Sequence, residues 1–289
     1  MSESAKAAPK TLVVAAAHDE HTLEAVFAAA EKLGIRYVLV GDRERINAVS
    51  SSLGVRLEQS VIIDSEDDDD SAKKAVAVIR ENGADALMKG ILETRTLLQA
   101  VLERETGIRG TGTLSHLAVL EVSAYEKLIC ITDGGMIPHP TLAQKADIAI
   151  NAAAFYRQIG CHTPKIAAVC AAESVSPKIQ ETVEAAELQV MCRKGELGDC
   201  LLEGPISFDL AISKESAKIK GFHSQISGET DILLVPSITA GNVLAKGLTY
   251  WAGAKMAGCI LGATAPIVLA SRGASAEEKL LSIMVSTAV

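Results

Sequence analysis

Pro266-Ile267-Val268-Leu269-Ala270-Ser271-Arg272-Gly273-Ala274-Ser275-Ala276-Glu277-Glu278 reads as one strand, a short loop and the start of a helix. Five apolar residues form a buried strand. Ser275 followed three residues later by Glu278 has the spacing of a capping box, which opens a helix. Ligands of α/β proteins bind beyond the carboxyl ends of the strands. The serine, arginine and glycine at this strand end suit an anion such as phosphate.

The same strand-then-helix rhythm runs back through the chain. Thr11–Ala17, Tyr37–Gly41, Val61–Asp64 and Ala86–Gly90 read as strands. Helix patterns follow them at Asp19–Leu33, Asp42–Leu53, Ser71–Asn82 and Thr94–Glu105. This alternation predicts a parallel, doubly wound sheet. The rhythm breaks at Leu114–Val122 and Lys127–Thr132, two strands joined by only four residues. So short a join predicts an antiparallel hairpin. Alternation then resumes, with a further helix expected over Phe208–Ile219. The expected class is α/β, with mostly parallel sheets and one antiparallel element. Two domains are expected, residues 1–110 with 255–289 and residues 111–254.

Composition fits this class. Of 289 residues, 48% are hydrophobic but only 3% aromatic, which favours helices packed on a parallel sheet over a β-sandwich. The formal net charge of -8 disfavours a nucleic-acid partner. Six cysteines include no CxxC pair, so free thiols in a reducing cytoplasm are expected, and no zinc site. Residues Met1–Lys10 lack an apolar core, so no secretory leader is expected. Apolar runs are short, so no membrane span is expected either. The acidic run Glu66–Asp70 stands just before a helix, where the helix dipole favours it.

Four strand ends carry candidate chemistry. Lys89-Gly90 followed by Thr94-Arg95 could cradle phosphate at a helix start. Asp133-Gly134-Gly135 is ordinary turn chemistry. After Val235-Pro236-Ser237, Gly241 and Asn242 open a helix, with Asn242 and Lys246 four residues apart on one face. Ser271-Arg272-Gly273 is the fourth. No GxSxG elbow and no GxGxxG after the first strand are present, which disfavours a hydrolase or a dinucleotide fold.

Taken in order, Leu87-Met88-Lys89-Gly90, Leu114-Ser115-His116-Leu117-Ala118-Val119, Glu203-Gly204-Pro205, Asp231–Pro236, Gly241–Lys246 and Ser271-Arg272-Gly273 span nearly the whole chain. Together they resemble the phosphate acetyltransferase and phosphate butyryltransferase family, most nearly its butyryl branch. The resemblance implies a two-domain fold like that of isocitrate and isopropylmalate dehydrogenases, with the site in the cleft between domains. It implies a cytoplasmic homodimer that exchanges an acyl group between coenzyme A and inorganic phosphate. Coenzyme A is then a substrate, and no metal or other cofactor takes part.

By the same resemblance, Ser271 and Arg272 match the catalytic Ser-Arg pair. Glu278 falls where the acetyl branch places an aspartate base. Lys89, Gly90, Thr94, Arg95, Pro236, Gly241, Asn242 and Lys246 would bind substrate. Two positions depart from the family pattern: Gln99 stands where a basic residue is common, and Ala245 where tyrosine is common.

Overall fold

The computed structural model describes residues 8–58, 61–110, 112–270 and 274–289. The chain forms two compact units, residues 1–110 with 263–288, and residues 111–262 with Val289.

The first unit starts with β1 (Thr11–Ala15), whose five residues are all buried. A strand covered on both faces needs no polar alternation, so a continuous apolar run is what a parallel sheet selects. Helix α1 (Glu20–Leu33) begins where the Asp19 carboxylate accepts the Thr22 amide, and it ends at Gly34 in the left-handed region. Then follow β2 (Arg36–Gly41), α2 (Arg43–Ser52), β3 (Ile62–Asp64), α3 (Asp68–Arg80), β4 (Ala86–Lys89) and α4 (Thr94–Leu102). Within the acidic run, Asp67 accepts the Asp70 amide and caps α3, and Asp70 pairs with Lys74 at 2.7 Å.

Strands β1 to β4 are parallel, in the spatial order β3-β2-β1-β4. The chain moves outward from β1 to β3, then returns to place β4 on the other side of β1. That reversal makes a topological switch point at β1 and β4, where α/β sheets leave room for a ligand. The late strand β11 (Ile267–Val268) pairs parallel with β4, and α10 (Ala276–Thr287) follows it. The core gathers Leu12, Val14, Leu23, Val26, Leu39, Ile46, Met88 and Ile283.

The second unit contains β5 (Ser115–Glu121), β6 (Ile129–Thr132), α5 (Leu142–Gln158), β7 (Lys165–Val169), α6 (Gln180–Arg193) and β8 (Leu201–Ile206). After these come α7 (Phe208–Ile212), α8 (Lys214–Lys220), β9 (Ile232–Leu234), α9 (Ile238–Ala252) and β10 (Lys255–Leu261). The predicted hairpin is present: β5 and β6 pair antiparallel, with Val119 opposite Cys130. β10 pairs antiparallel with β5 at every position from Lys255 to Leu261, which holds residues 255–262 in this unit. β6, β9, β7 and β8 continue as parallel neighbours. Leu120, Ile131, Ile206, Leu210, Leu233 and Val235 form the core.

One predicted helix is two. The pattern over Phe208–Ile219 breaks at Ser213, whose backbone is extended and whose hydroxyl accepts the Ser216 amide to start α8 anew. Serine competes with the helix through such local bonds, and hydropathy alone does not register that competition. Among the described residues, no helix is long and apolar enough to cross a membrane.

Candidate active site

In the first unit, the loops after β1 and β4 lie side by side at the switch point. The Gly90 amide donates to the Ala15 carbonyl at 2.8 Å. A Cβ on Gly90 would lie 2.2 Å from the Ala16 carbonyl oxygen, so only glycine permits this approach. Lys89 is buried, and its Nζ donates to the carbonyls of Gly90 and Leu92, each at 3.0 Å. This ammonium therefore shapes its own loop and adds positive charge beneath it. Thr94 is half-buried and Arg95 exposed in the first turn of α4. Gln99, also exposed, is one turn further along the same face.

His18 closes the β1 loop. Its Nδ1 is buried with no hydrogen-bond partner, 3.0 Å from where a Gly41 Cβ would stand. Burial, followed by the nearby Arg45 charge, holds its pKa below the ordinary histidine value.

Ser271 and Arg272 lie outside the described residues. Glu278 lies within them, half-buried in the first turn of α10. Its Oε2 accepts the Ser275 amide at 2.9 Å, and its own amide donates to the Ser275 hydroxyl at 3.2 Å. The capping box predicted from spacing is thus present in full. It engages one carboxylate oxygen and leaves Oε1 without a hydrogen bond among the described residues. Next to it, Lys279 is buried and reaches the Thr22 hydroxyl at 3.1 Å, pinning α10 to the start of α1.

In the second unit, the turn after β6 and the start of α9 form one structure. The Asp133 carboxylate is buried and accepts four backbone amides: His116 at 3.1 Å, Gly135 and Met136 at 3.0 Å, and Ile137 at 2.8 Å. Read as a plain turn in the sequence, Asp133 is the hub around which residues 133–137 fold. An aspartate ahead of two glycines at a strand end is the signal for it: the glycines let consecutive amides converge on one carboxylate.

The helix start is then seated on that turn. The Ile238 amide donates to the Pro138 carbonyl, and a Cβ on Gly241 would stand 2.7 Å from the Gly134 Cα. Ser237 caps α9 by accepting the Ala240 amide. Pro236 is half-buried just before it. Asn242 and Lys246 are exposed one turn apart on α9, and neither side chain makes a hydrogen bond or ion pair among the described residues. Their amide and ammonium groups are presented to solvent on a rigid helix, suited to an anionic ligand.

His116, on β5, packs its ring against Gly135, where a Cβ would lie 2.9 Å from Cγ. Its Nδ1 is buried without a partner. Burial depresses its pKa, against the opposing pull of the Asp133 charge.

Residues 69–287 match the family described as phosphate acetyl/butaryl transferase. A probable phosphate butyryltransferase of Bacillus subtilis is 42% identical over 95% of this chain and 91% of its own. A phosphate acetyltransferase of Thermotoga maritima is 37% identical over 98% of this chain and 96% of its own. Among solved structures, a branched-chain phosphotransacylase from Enterococcus faecalis superposes with a TM-score of 0.84 at 31% identity, covering 96% of this chain and 98% of that one. A 4-hydroxythreonine-4-phosphate dehydrogenase from Klebsiella pneumoniae is alike in fold alone, with a TM-score of 0.57 at 14% identity over 98% of this chain and 100% of that one. The predicted kinship to dehydrogenase folds is therefore present, and the chain belongs to the phosphate acetyltransferase and phosphate butyryltransferase family.

Proposed function

We propose that this protein is a phosphate acyltransferase of the butyryl type, catalysing acyl-CoA + phosphate = acyl phosphate + CoA with short-chain acyl groups. The near full-length identity of 42% to a relative named for butyryl transfer carries this reading. The exposed Asn242 and Lys246 on one face of α9, and the loop built by Lys89 and Gly90, support it.

In the forward direction a phosphate oxygen attacks the thioester carbonyl. The tetrahedral intermediate then expels the thiolate, leaving the acyl group on phosphate. Arg272 is proposed to hold the phosphate and offset charge on the carbonyl oxygen, with Ser271 orienting the two groups. Lys89, through its loop, together with Gly90, Thr94 and Arg95, lends positive charge and backbone amides to the phosphate. Pro236, Gly241, Asn242 and Lys246 take the anionic coenzyme A. Glu278 takes the proton that the attacking hydrogen phosphate gives up and passes it to the departing thiolate; in reverse, it removes the proton from the thiol and returns it to the phosphate. A thiol of pKa ~8.5 is mostly protonated near neutrality, so a positioned base helps. This chemistry is balanced without metal or redox cofactor. The proposed setting is a cytoplasmic homodimer.

The test is phosphate-dependent release of free thiol from acetyl-, propionyl-, butyryl- and branched acyl-CoA. Release fastest with the four-carbon or branched substrates is expected. No release with any of them overturns the proposal, and release confined to acetyl-CoA transfers it to the acetyl branch.

A further inference from the structure

Cys192 and Cys200 lie in the second unit, at the join between α6 and β8. Their sulfurs are 3.8 Å apart, in van der Waals contact, and both residues are half-buried. Cys192 sits in the last turn of α6 and donates its S–H to the Cys200 carbonyl at 3.3 Å. Cys200 immediately precedes β8. The other four cysteines are placed differently. Cys130, Cys170 and Cys259 are buried, and Cys161 faces the Asp231 carboxylate at 3.9 Å.

The intervening segment Arg193–Asp199 carries Gly195 and Gly198, both in the left-handed region. It already turns the chain back so that the two thiols face each other. A disulfide needs its sulfurs at about 2.0 Å, a closure of under ~2 Å that small side-chain rotations can supply. The ring it closes would staple the end of α6 to the start of β8. These two elements also wall a cleft of about 670 Å³ through Gln189 and Arg193 on one side and Glu203 and Pro205 on the other.

We propose that Cys192 and Cys200 form a reversible dithiol–disulfide pair that takes low-molecular-weight disulfides as its oxidant. The Cys192 thiolate attacks one sulfur of the small disulfide, forming a mixed disulfide and releasing one thiol. Cys200 then gives up its proton and attacks the Cys192 sulfur, forming the Cys192–Cys200 bond and releasing the second thiol. One small disulfide is reduced to two thiols as the two cysteines are oxidised to one disulfide. Burial, reinforced by the adjacent Cys192, pushes the Cys200 thiol up, which disfavours it as the first attacker and leaves that step to Cys192. Exposed Arg193 and Lys194 beside Cys192 favour the approach of an anionic disulfide.

The full-length protein is incubated with oxidised glutathione, denatured, alkylated with iodoacetamide and digested. The expected result is a fall from six alkylated cysteines to four, a peptide pair linked through Cys192 and Cys200, and recovery of all six with dithiothreitol. Cys200→Ser should close no ring and leave one glutathione on Cys192, Cys192→Ser should close no ring and leave Cys200 open to alkylation, whereas Cys161→Ser should still close the ring. Six alkylated cysteines after oxidation, a lasting glutathione adduct on the wild-type pair, or a link to any other cysteine overturns the proposal. The peptide map of the wild-type protein decides this even where a serine variant fails to fold.

Discussion

Gly134 and Gly241 meet backbone to backbone: a Cβ built on Gly241 would stand 2.7 Å from the Gly134 Cα and 2.9 Å from a Val235 methyl. The turn after β6 and the first turn of α9 are therefore locked at one spacing. Asn242 and Lys246 inherit their positions from it, being one and five residues further along the same helix.

Gly241→Ala forces that contact open. Overpacking of this kind costs about 1–3 kcal/mol, read as a lower urea midpoint with unchanged slope. Displacing Asn242 and Lys246 should also raise KM for the acyl-CoA more than it lowers kcat. An unchanged KM in a destabilised variant would detach these two residues from coenzyme A.

Glu278 serves as cap and as proposed base, and two substitutions separate the roles. Glutamine at the same position of a capping box still offers an oxygen to the Ser275 amide. Glu278→Gln should therefore keep thermal stability and lose rate on the order of 10²-fold or more. Glu278→Ala should lose the rate and also about 0.5–2 kcal/mol of stability. Full activity in Glu278→Gln assigns the residue to the cap alone.

Arg272→Ala removes the proposed donor to the developing oxyanion. The expected loss is roughly 10²–10³ in kcat, with the thermal midpoint little changed. Arg272→Lys keeps the charge but not the forked geometry, and should recover only part of the rate. Wild-type rates in both variants would remove Arg272 from the chemistry.

The parallel strands were legible because burial on both faces writes them as continuous apolar runs, as in Leu12–Ala15. The hairpin was legible from the shortness of its join, and the cap on α10 from the Ser275–Glu278 spacing. What local pattern could not convey was long-range. The pairing of β10 with β5 joins residues more than a hundred positions apart. The convergence of four amides on Asp133 needs the His116 backbone from a different strand. Lys89 read as one side of a phosphate cradle, because sequence gives its charge and its place at a strand end but not its burial. The site residues that depend only on helix spacing, Asn242 with Lys246 and Arg95 with Gln99, do share a face of their helices.

Asp133→Asn tests the hub after β6. The amide keeps one acceptor oxygen but turns its NH2 toward amides that bonded a carboxylate. Leaving such donors unsatisfied costs about 1–3 kcal/mol, and more where the acceptor was charged. Because the turn seats α9, KM for acyl-CoA should rise as well. Asp133→Glu restores the charge with one methylene too many and should rescue little of either. Wild-type stability in Asp133→Asn would show that the turn holds without its central charge.

The two half-buried histidines, each with a buried Nδ1, predict a pH dependence whose sign is fixed. His18 and His116 both titrate below their ordinary 6.5 in the folded protein, chiefly through burial. In the unfolded chain they take up protons near that value. Between the folded and ordinary values the unfolded state holds more protons, so acid favours unfolding. Their contribution is fully present above pH 6.5 and is lost as pH falls toward the folded values. Urea midpoints measured at about pH 7.5 and about pH 5.5 should therefore fall in the wild type. His116→Gln, which cannot take up the proton, should be less stable at the higher pH but lose less on acidification. Equal losses in the two proteins would mean that the His116 ring is protonated as readily folded as unfolded, against its burial beside Gly135.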